Sequence, residues 1–418
     1  MAGPQSDDAP TATRPGAAGL LLTGGGARAA YQVGVLETIA DLRRAAQAEG
    51  AAVGGNPFHI ITGTSAGAIN AAALACGADD FDAAVRRIAE VWRHFRAEQV
   101  YRADSLSVMR SGARWLTLLS LGWVLAKWHR LPPRSLLDNR PLAALLEDLV
   151  PLARLPGLIQ AGHLQALAVT ASSYSSGEHV TFFESERPVE PWVRSQRLAV
   201  RGRIALAHLL ASSAIPFVFP AMPLPVHGRF EYFGDGSMRQ SAPMAPAIHL
   251  GAQRILVIGA GRMHEPRGES TTPEVPAYPS LAQIAGHALS NIFLDALSVD
   301  VERVQRINLT LSLIPPEARS ASALRPIDLL VIAPSQRLDA AAARHLASLP
   351  PAVRTLLGGL GVTRKVDDVK GAALASYLLF ESGYTRELMA LGRADTLHQA
   401  AEVCRFFGWP LPQRLPAA

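Results

Sequence analysis

Ile60-Ile61-Thr62-Gly63-Thr64-Ser65-Ala66-Gly67-Ala68-Ile69-Asn70 is a short apolar run that meets Gly-x-Ser-x-Gly and continues without a linker as an alanine-rich, helix-forming stretch. A strand that turns into a helix through this pentapeptide is a nucleophile elbow. Gly63 and Gly67 permit a turn too tight for side chains. The turn lifts the Ser65 hydroxyl to a helix N-terminus, where partial positive charge favours an oxyanion. Ser65 is therefore the candidate nucleophile. The competing reading is a common pentapeptide whose serine only caps a helix, but the strand before it and the helix after it are the context that an elbow requires.

Upstream, Gly19-Leu20-Leu21-Leu22-Thr23 forms a second apolar strand, followed by Gly24-Gly25-Gly26-Ala27-Arg28 and a helical stretch through Tyr31, Val35, Leu36 and Ile39. A glycine turn of this kind presents several backbone N–H groups in one direction, as acyl transfer requires where the tetrahedral oxyanion forms. Gly24, Gly25 and Gly26 are the oxyanion-hole candidates, with Arg28 adding positive charge. A dinucleotide fingerprint also fits Gly24 and Gly26, with Ala29 as a permitted third position. That reading wants an acidic residue at the end of the next strand, which instead ends in Gly63-Thr64-Ser65. Further on, Tyr232-Phe233-Gly234-Asp235-Gly236-Ser237 follows a hairpin expected around His227-Gly228-Arg229 and places Asp235 on a tight turn. Alone, such an aspartate most often bonds its own turn. The order Gly-Gly-Gly-x-Arg, Gly-x-Ser-x-Gly, Asp-Gly raises it to a candidate.

Those three motifs, over about residues 18 to 260, resemble the patatin-like phospholipase family. Leu210-Ala211-Ser212-Ser213-Ala214-Ile215-Pro216 and Arg254-Ile255-Leu256-Val257-Ile258-Gly259 are similar to its bacterial members. The resemblance implies a Ser65–Asp235 dyad, an oxyanion region at Gly24, Gly25, Gly26 and Arg28, and an Asp-Gly motif at Asp235, Gly236 and Ser237. It implies hydrolysis of phospholipid acyl esters through an acyl-enzyme, without cofactor or metal. Two positions depart from the family pattern. Ala29 and Ser237 stand where glycine, or at Ser237 glycine or alanine, is common.

The dyad poses a chemical question. A serine hydroxyl needs a base, and a carboxylate with a pKa of about 3.9 is a weak one unless it is desolvated or bonded directly to the serine. His208, His227 and His249 lie near Asp235 in sequence, so a Ser-His-Asp triad stays open. The same residues could also serve a neutral-lipid esterase, a thioesterase or an acyltransferase. A weakly catalytic membrane-associated binding protein is the reading from another class.

With 418 residues, 49% of them hydrophobic and 18% charged, the chain can bury a large core. Cys76 and Cys404 are the two cysteines and form no C-x-x-C pair, so neither a disulfide framework nor a zinc site is indicated. Residues 1–17 read as a flexible tail with no signal peptide. The net charge of +5 comes almost wholly from arginine, with lysine only at Lys127, Lys365 and Lys370, and no basic cluster with interleaved aromatics suggests nucleic acid. A cytoplasmic protein is expected, with peripheral contact at the inner membrane face. The apolar run from Trp115 to Ala126 within about 113–131 is too short to span a bilayer, but its tryptophans and basic flanks suit a membrane-docking or lid insertion, or a core helix. Alternating strands near 19–23, 58–62, 164–172, 179–184, 230–233, 254–259 and 328–332 with helices predict a three-layer α/β/α fold with a largely parallel sheet. The catalytic domain is expected over 18–334, and a helical C-terminal extension over 335–418.

Overall fold

The computed structural model of the protein describes residues 16–102, 135–263, 284, 296–320, 322, 324–359 and 369–416. Residues 1–15 and the tryptophan-rich stretch at 113–131 lie outside the described residues. Among those described, one sheet contains β1 (Ala18–Leu22), β2 (Ile60–Thr64), β3 (Ala166–Ser173), β4 (His179–Ser185), β5 (Val193–Arg194), β6 (Arg197–Arg201), β7 (Met222–Val226), β8 (Arg229–Asp235), β9 (Arg254–Ile258) and β10 (Asp328–Ile332). The order is β10-β9-β1-β2-β3-β4-β6-β5, with β8 also on β3 and β7 on β8. The block β10-β9-β1-β2-β3 is parallel, whereas β4 and β8 run antiparallel to β3.

The central strands are apolar on both faces because helices cover both. Alternate side chains of β1 show the division. Leu20 and Leu22 join Ile61, Leu256 and Ile258 in a core closed by α1 (Ala30–Ala48), α2 (Ala66–Ala75), α3 (Phe81–Arg93) and the C-terminal helices. Leu21 joins Ile60, Ile255 and Val257 in a second core, closed by Ala247, Leu297, Val301 and Val304 on the opposite face. The expected three-layer α/β/α arrangement with a mostly parallel sheet is thus the observed one.

Three strands escape the sequence reading. β7 holds Pro223 and Pro225, which remove ladder donors, yet it pairs only with β8 and so tolerates them. Its turn, His227 (φ 48°) and Gly228 (φ 78°), has the double positive φ of a two-residue hairpin, as the expected hairpin requires. β5 is only two residues long, and β6 begins and ends in arginine. The C-terminal part is helical among the described residues, with Ser382–His398 as one of its helices. Among the described residues no helix is long and apolar enough to cross a membrane.

Candidate active site

Sheet register brings Ser65 and Asp235 together. β2 runs along one edge of β3 and ends with Thr64 opposite Thr170. At the next residue of β3, Ala171, the partner is Asp235 at the end of β8. Since β4 occupies the other edge of β3 through Ser172, β2 and β8 share a single edge in succession. Two strands 170 residues apart in sequence therefore end against each other, and Ser65 Oγ donates to Asp235 Oδ2 at 2.5 Å.

The elbow holds Ser65 at φ 56°, ψ −133°. A non-glycine residue in this region carries strain of about 1–3 kcal/mol that its surroundings must hold. Gly67 shows why the turn demands glycine. A Cβ there would stand 2.4 Å from the carbonyl oxygen of Leu22 and 2.5 Å from that of Thr23. The first turn of α2 is thus pressed against the end of β1, next to the glycine turn. Gly63, inside β2, faces the backbone of Gly67 and Ala68 in the same way.

Asp235 is fully buried, and Ser65 is 1% exposed. Burial pushes the Asp235 carboxyl up to about 6, against the lowering effect of hydrogen bonds from Ser65 and Ser237. The aligned bond from Ser237 is its backbone N–H, which donates to Oδ1 at 2.9 Å; the hydroxyl makes no aligned bond. Gly236 packs against the carbonyl oxygen of Thr170. Below the pair, Gln240 Nε2 donates to Thr64 Oγ1 at 2.8 Å, and Thr64 and Thr170 share a hydroxyl–hydroxyl bond at 2.6 Å.

The glycine turn lies beside them. The N–H of Arg28 bonds the carbonyl of Gly25, while no acceptor among the described residues takes the N–H groups of Gly24, Gly25 or Gly26. Gly26, at φ 54°, lines the same cavity as Ser65. Arg28 is not in that cavity. Its Nε donates to Ser376 Oγ at 2.8 Å, and its guanidinium stacks 4.1 Å from the ring centroid of Tyr377. These contacts anchor the turn to the helix Val369–Leu378 of the C-terminal segment.

The cavity, about 320 Å³, extends from Ser65 between α3 and the helix Arg140–Leu149. Ile69, Ile88, Trp92, Leu142, Phe219 and Phe380 give it an apolar wall, and the exposed Arg87, Glu90 and Asp148 also line it. A lining of this kind suits an acyl chain. Sequence reasoning did not single out Asn70, which accepts from Trp92 Nε1 at 2.9 Å and donates to Gln32 Oε1 at 3.1 Å. Gln32 in turn donates to the carbonyl of Thr23 at 2.7 Å, which steadies the start of the glycine turn. Nor did it find Ser376 or Phe380, which no local motif marks.

The three histidines near Asp235 in sequence are occupied elsewhere. His208 Nδ1 accepts from the N–H of Ala205 at 2.9 Å, His227 sits in the hairpin turn, and His249 stacks on Trp192 at 4.6 Å. Among the described residues no histidine hydrogen-bonds Ser65 or Asp235. No group of three or more metal-ligating side chains is found among them either.

A family model described as patatin-like phospholipase matches residues 20–248, more than half of the chain, and spans all three motifs. No curated protein matches. Among solved structures, VipD from Legionella pneumophila aligns at 13% identity and a TM-score of 0.31, over 90% of this chain and 67% of its own. The heterodimeric ExoU–SpcU complex from the type III secretion system of Pseudomonas aeruginosa aligns at 16% identity and a TM-score of 0.26, over 94% and 78%. At such scores these alignments carry no weight of their own. On the family match, which covers both cavity-facing turns and the strand ending in Asp235, the chain belongs to the patatin-like phospholipase family.

Proposed function

We propose that this protein is a serine lipid acyl hydrolase that cleaves fatty-acyl esters of phospholipids through a Ser65–Asp235 dyad. The observation that carries the reading is the buried 2.5 Å bond to Asp235 from Ser65, which itself lines an apolar cavity. Asp235 Oδ2 takes the Ser65 proton as Oγ attacks the ester carbonyl. The N–H groups of Gly24, Gly25 and Gly26 hold the oxyanion, and protonated Asp235 returns its proton to the leaving alkoxide. A water, deprotonated by Asp235, then attacks the acyl-Ser65 ester, and Asp235 passes that proton to Ser65 Oγ as the fatty acid leaves. Desolvation makes the carboxylate a stronger base than it is in water, which supports the omission of histidine.

We read 18–334 as the unit that carries this chemistry and 335–418 as a helical extension of it. The test of the activity is fatty-acid release from phospholipid vesicles and from p-nitrophenyl esters, together with labelling by a fluorophosphonate. The expected result is turnover of both substrates and stoichiometric labelling at Ser65. A folded protein that neither turns over esters nor labels is a binding protein instead. Turnover of neutral glycerides or thioesters without phospholipid hydrolysis would move the substrate class.

The pH dependence follows from Asp235. Only the ionised carboxylate accepts a proton, so kcat/KM on a soluble ester should rise with pH and level off above about 6. Below that it should fall about tenfold per unit. A rate that stays flat down to about pH 5 would mean that Asp235 is not the base.

A further inference from the structure

We infer that Ser212 is a positioning residue, the hydroxyl that holds Ser65 in its strained backbone conformation and sets the distance between the two members of the dyad. The inference rests on the hydrolase reading above. Ser212 ends the helix Leu206–Ser212 and is fully buried. Its Oγ accepts the backbone N–H of Ser65 at 2.8 Å and donates to the carbonyl of Thr170 at 2.6 Å. A hydroxyl has one proton, so donation to Thr170 turns a lone pair toward Ser65 and fixes the direction of the second bond. Thr170 is the residue of β3 opposite Thr64 and adjacent to Ala171, the partner of Asp235.

The same short segment also grips the other half of the dyad. The N–H of Asp235 bonds the carbonyl of Ala214 at 2.9 Å. Ser212 and Ala214, two residues apart, therefore accept the backbone N–H groups of nucleophile and base. Ser65 gains a backbone restraint from Ser212, which matters because φ of 56° is unfavourable for serine and persists only where the surroundings impose it. Its N–H is also consumed by Ser212, so the oxyanion donors must come from other amides. Removing the Ser212 hydroxyl would free the Ser65 backbone to relax, lengthen the Ser65–Asp235 bond and leave the cavity that binds the acyl chain unaltered.

The split between kcat and KM separates this from a merely structural role. Ser212→Ala should lower kcat on a soluble p-nitrophenyl ester roughly 10- to 100-fold, the scale of a small misplacement of reacting groups, with KM within about twofold. Fluorophosphonate labelling of Ser65 should slow in parallel. Ser212→Thr, which keeps an oxygen at the γ position, should restore most of both rates. Ser212→Cys fills the γ position but bonds weakly, so it carries the test if the alanine variant does not fold; its kcat should fall between those of the alanine and threonine variants. Folded Ser212→Ala or Ser212→Cys with wild-type kcat and labelling rate overturns the proposal, as does a loss confined to KM. A wild type that neither labels nor hydrolyses overturns the hydrolase reading and this inference together, whereas a reactive wild type with indifferent Ser212 variants overturns this inference alone.

Discussion

Ser65→Ala and Asp235→Asn should each lower hydrolysis of phospholipid and p-nitrophenyl esters by roughly 10³-fold or more, and the double variant should be scarcely worse than either, because residues that act as a unit fail together. The 2.5 Å bond between the side chains is the reason to expect a common loss. Steady-state rates and fluorophosphonate labelling of the three variants are the measurement, and an additive double variant would show that the two residues act independently. Stability should move the other way at Asp235. A carboxyl raised from 3.8 to about 6 in the folded protein contributes stability that is fully present below its unfolded pKa and lost as pH rises through about 6. At neutral pH the buried carboxylate is thus a cost. Asn can still accept the Ser237 N–H and keeps the volume. The Tm of Asp235→Asn at about pH 8 should equal or exceed that of the wild type, while at about pH 4 the advantage disappears. A Tm that falls by several degrees at the higher pH would show that burial of the charge is already compensated.

Gly26→Ala should be the second most damaging change and should act on the fold of the turn as well as on the rate. A Cβ at Gly26 would stand 2.3 Å from the carbonyl oxygen of Tyr377, and the residue lies at φ 54°. Either the turn or the helix Val369–Leu378 must move, and both are fixed by the Arg28–Ser376 bond and by the stacking of Arg28 on Tyr377. A strained φ alone costs about 1–3 kcal/mol, and a contact with backbone adds to it because no flexible side chain can yield. Activity should fall at least 10²-fold, the scale for loss of an oxyanion donor, with a lower Tm. Arg28→Ala, tested beside it, should mimic part of the loss, since the anchor of the turn is removed while the amides remain. Wild-type activity in Gly26→Ala would show that the turn at Gly24–Gly26 does not hold the oxyanion.

Much of this site was legible without coordinates, and the reason is local. Gly-x-Ser-x-Gly between an apolar run and an alanine-rich stretch specifies a tight turn through backbone sterics alone, and the structure has that turn, with Ser65 at positive φ. The glycine cluster at Gly24–Gly26 is read from the same logic. The contact of Arg28 with a hydroxyl 348 residues away could not be read from the glycine turn itself. Ser212 lay inside a stretch noted only for its resemblance, and neither Ser376 nor Phe380 carries a local signal. β7 was missed because its prolines exclude an interior strand but not an edge strand.

By itself the sequence determined the elements and the turns: apolar runs of strand length, glycines where the backbone must turn or touch, and the residue types able to do acyl chemistry. These follow from backbone sterics and hydrophobic periodicity, which act over a few residues. Only the tertiary structure decided that β2 and β8 end in succession on one edge of β3, that Asp235 is dry enough to be pushed up to about 6, and that a helix near the C-terminus holds the glycine turn. Register, desolvation and long-range hydrogen bonds depend on what packs from elsewhere in the chain, and no short stretch of sequence contains them.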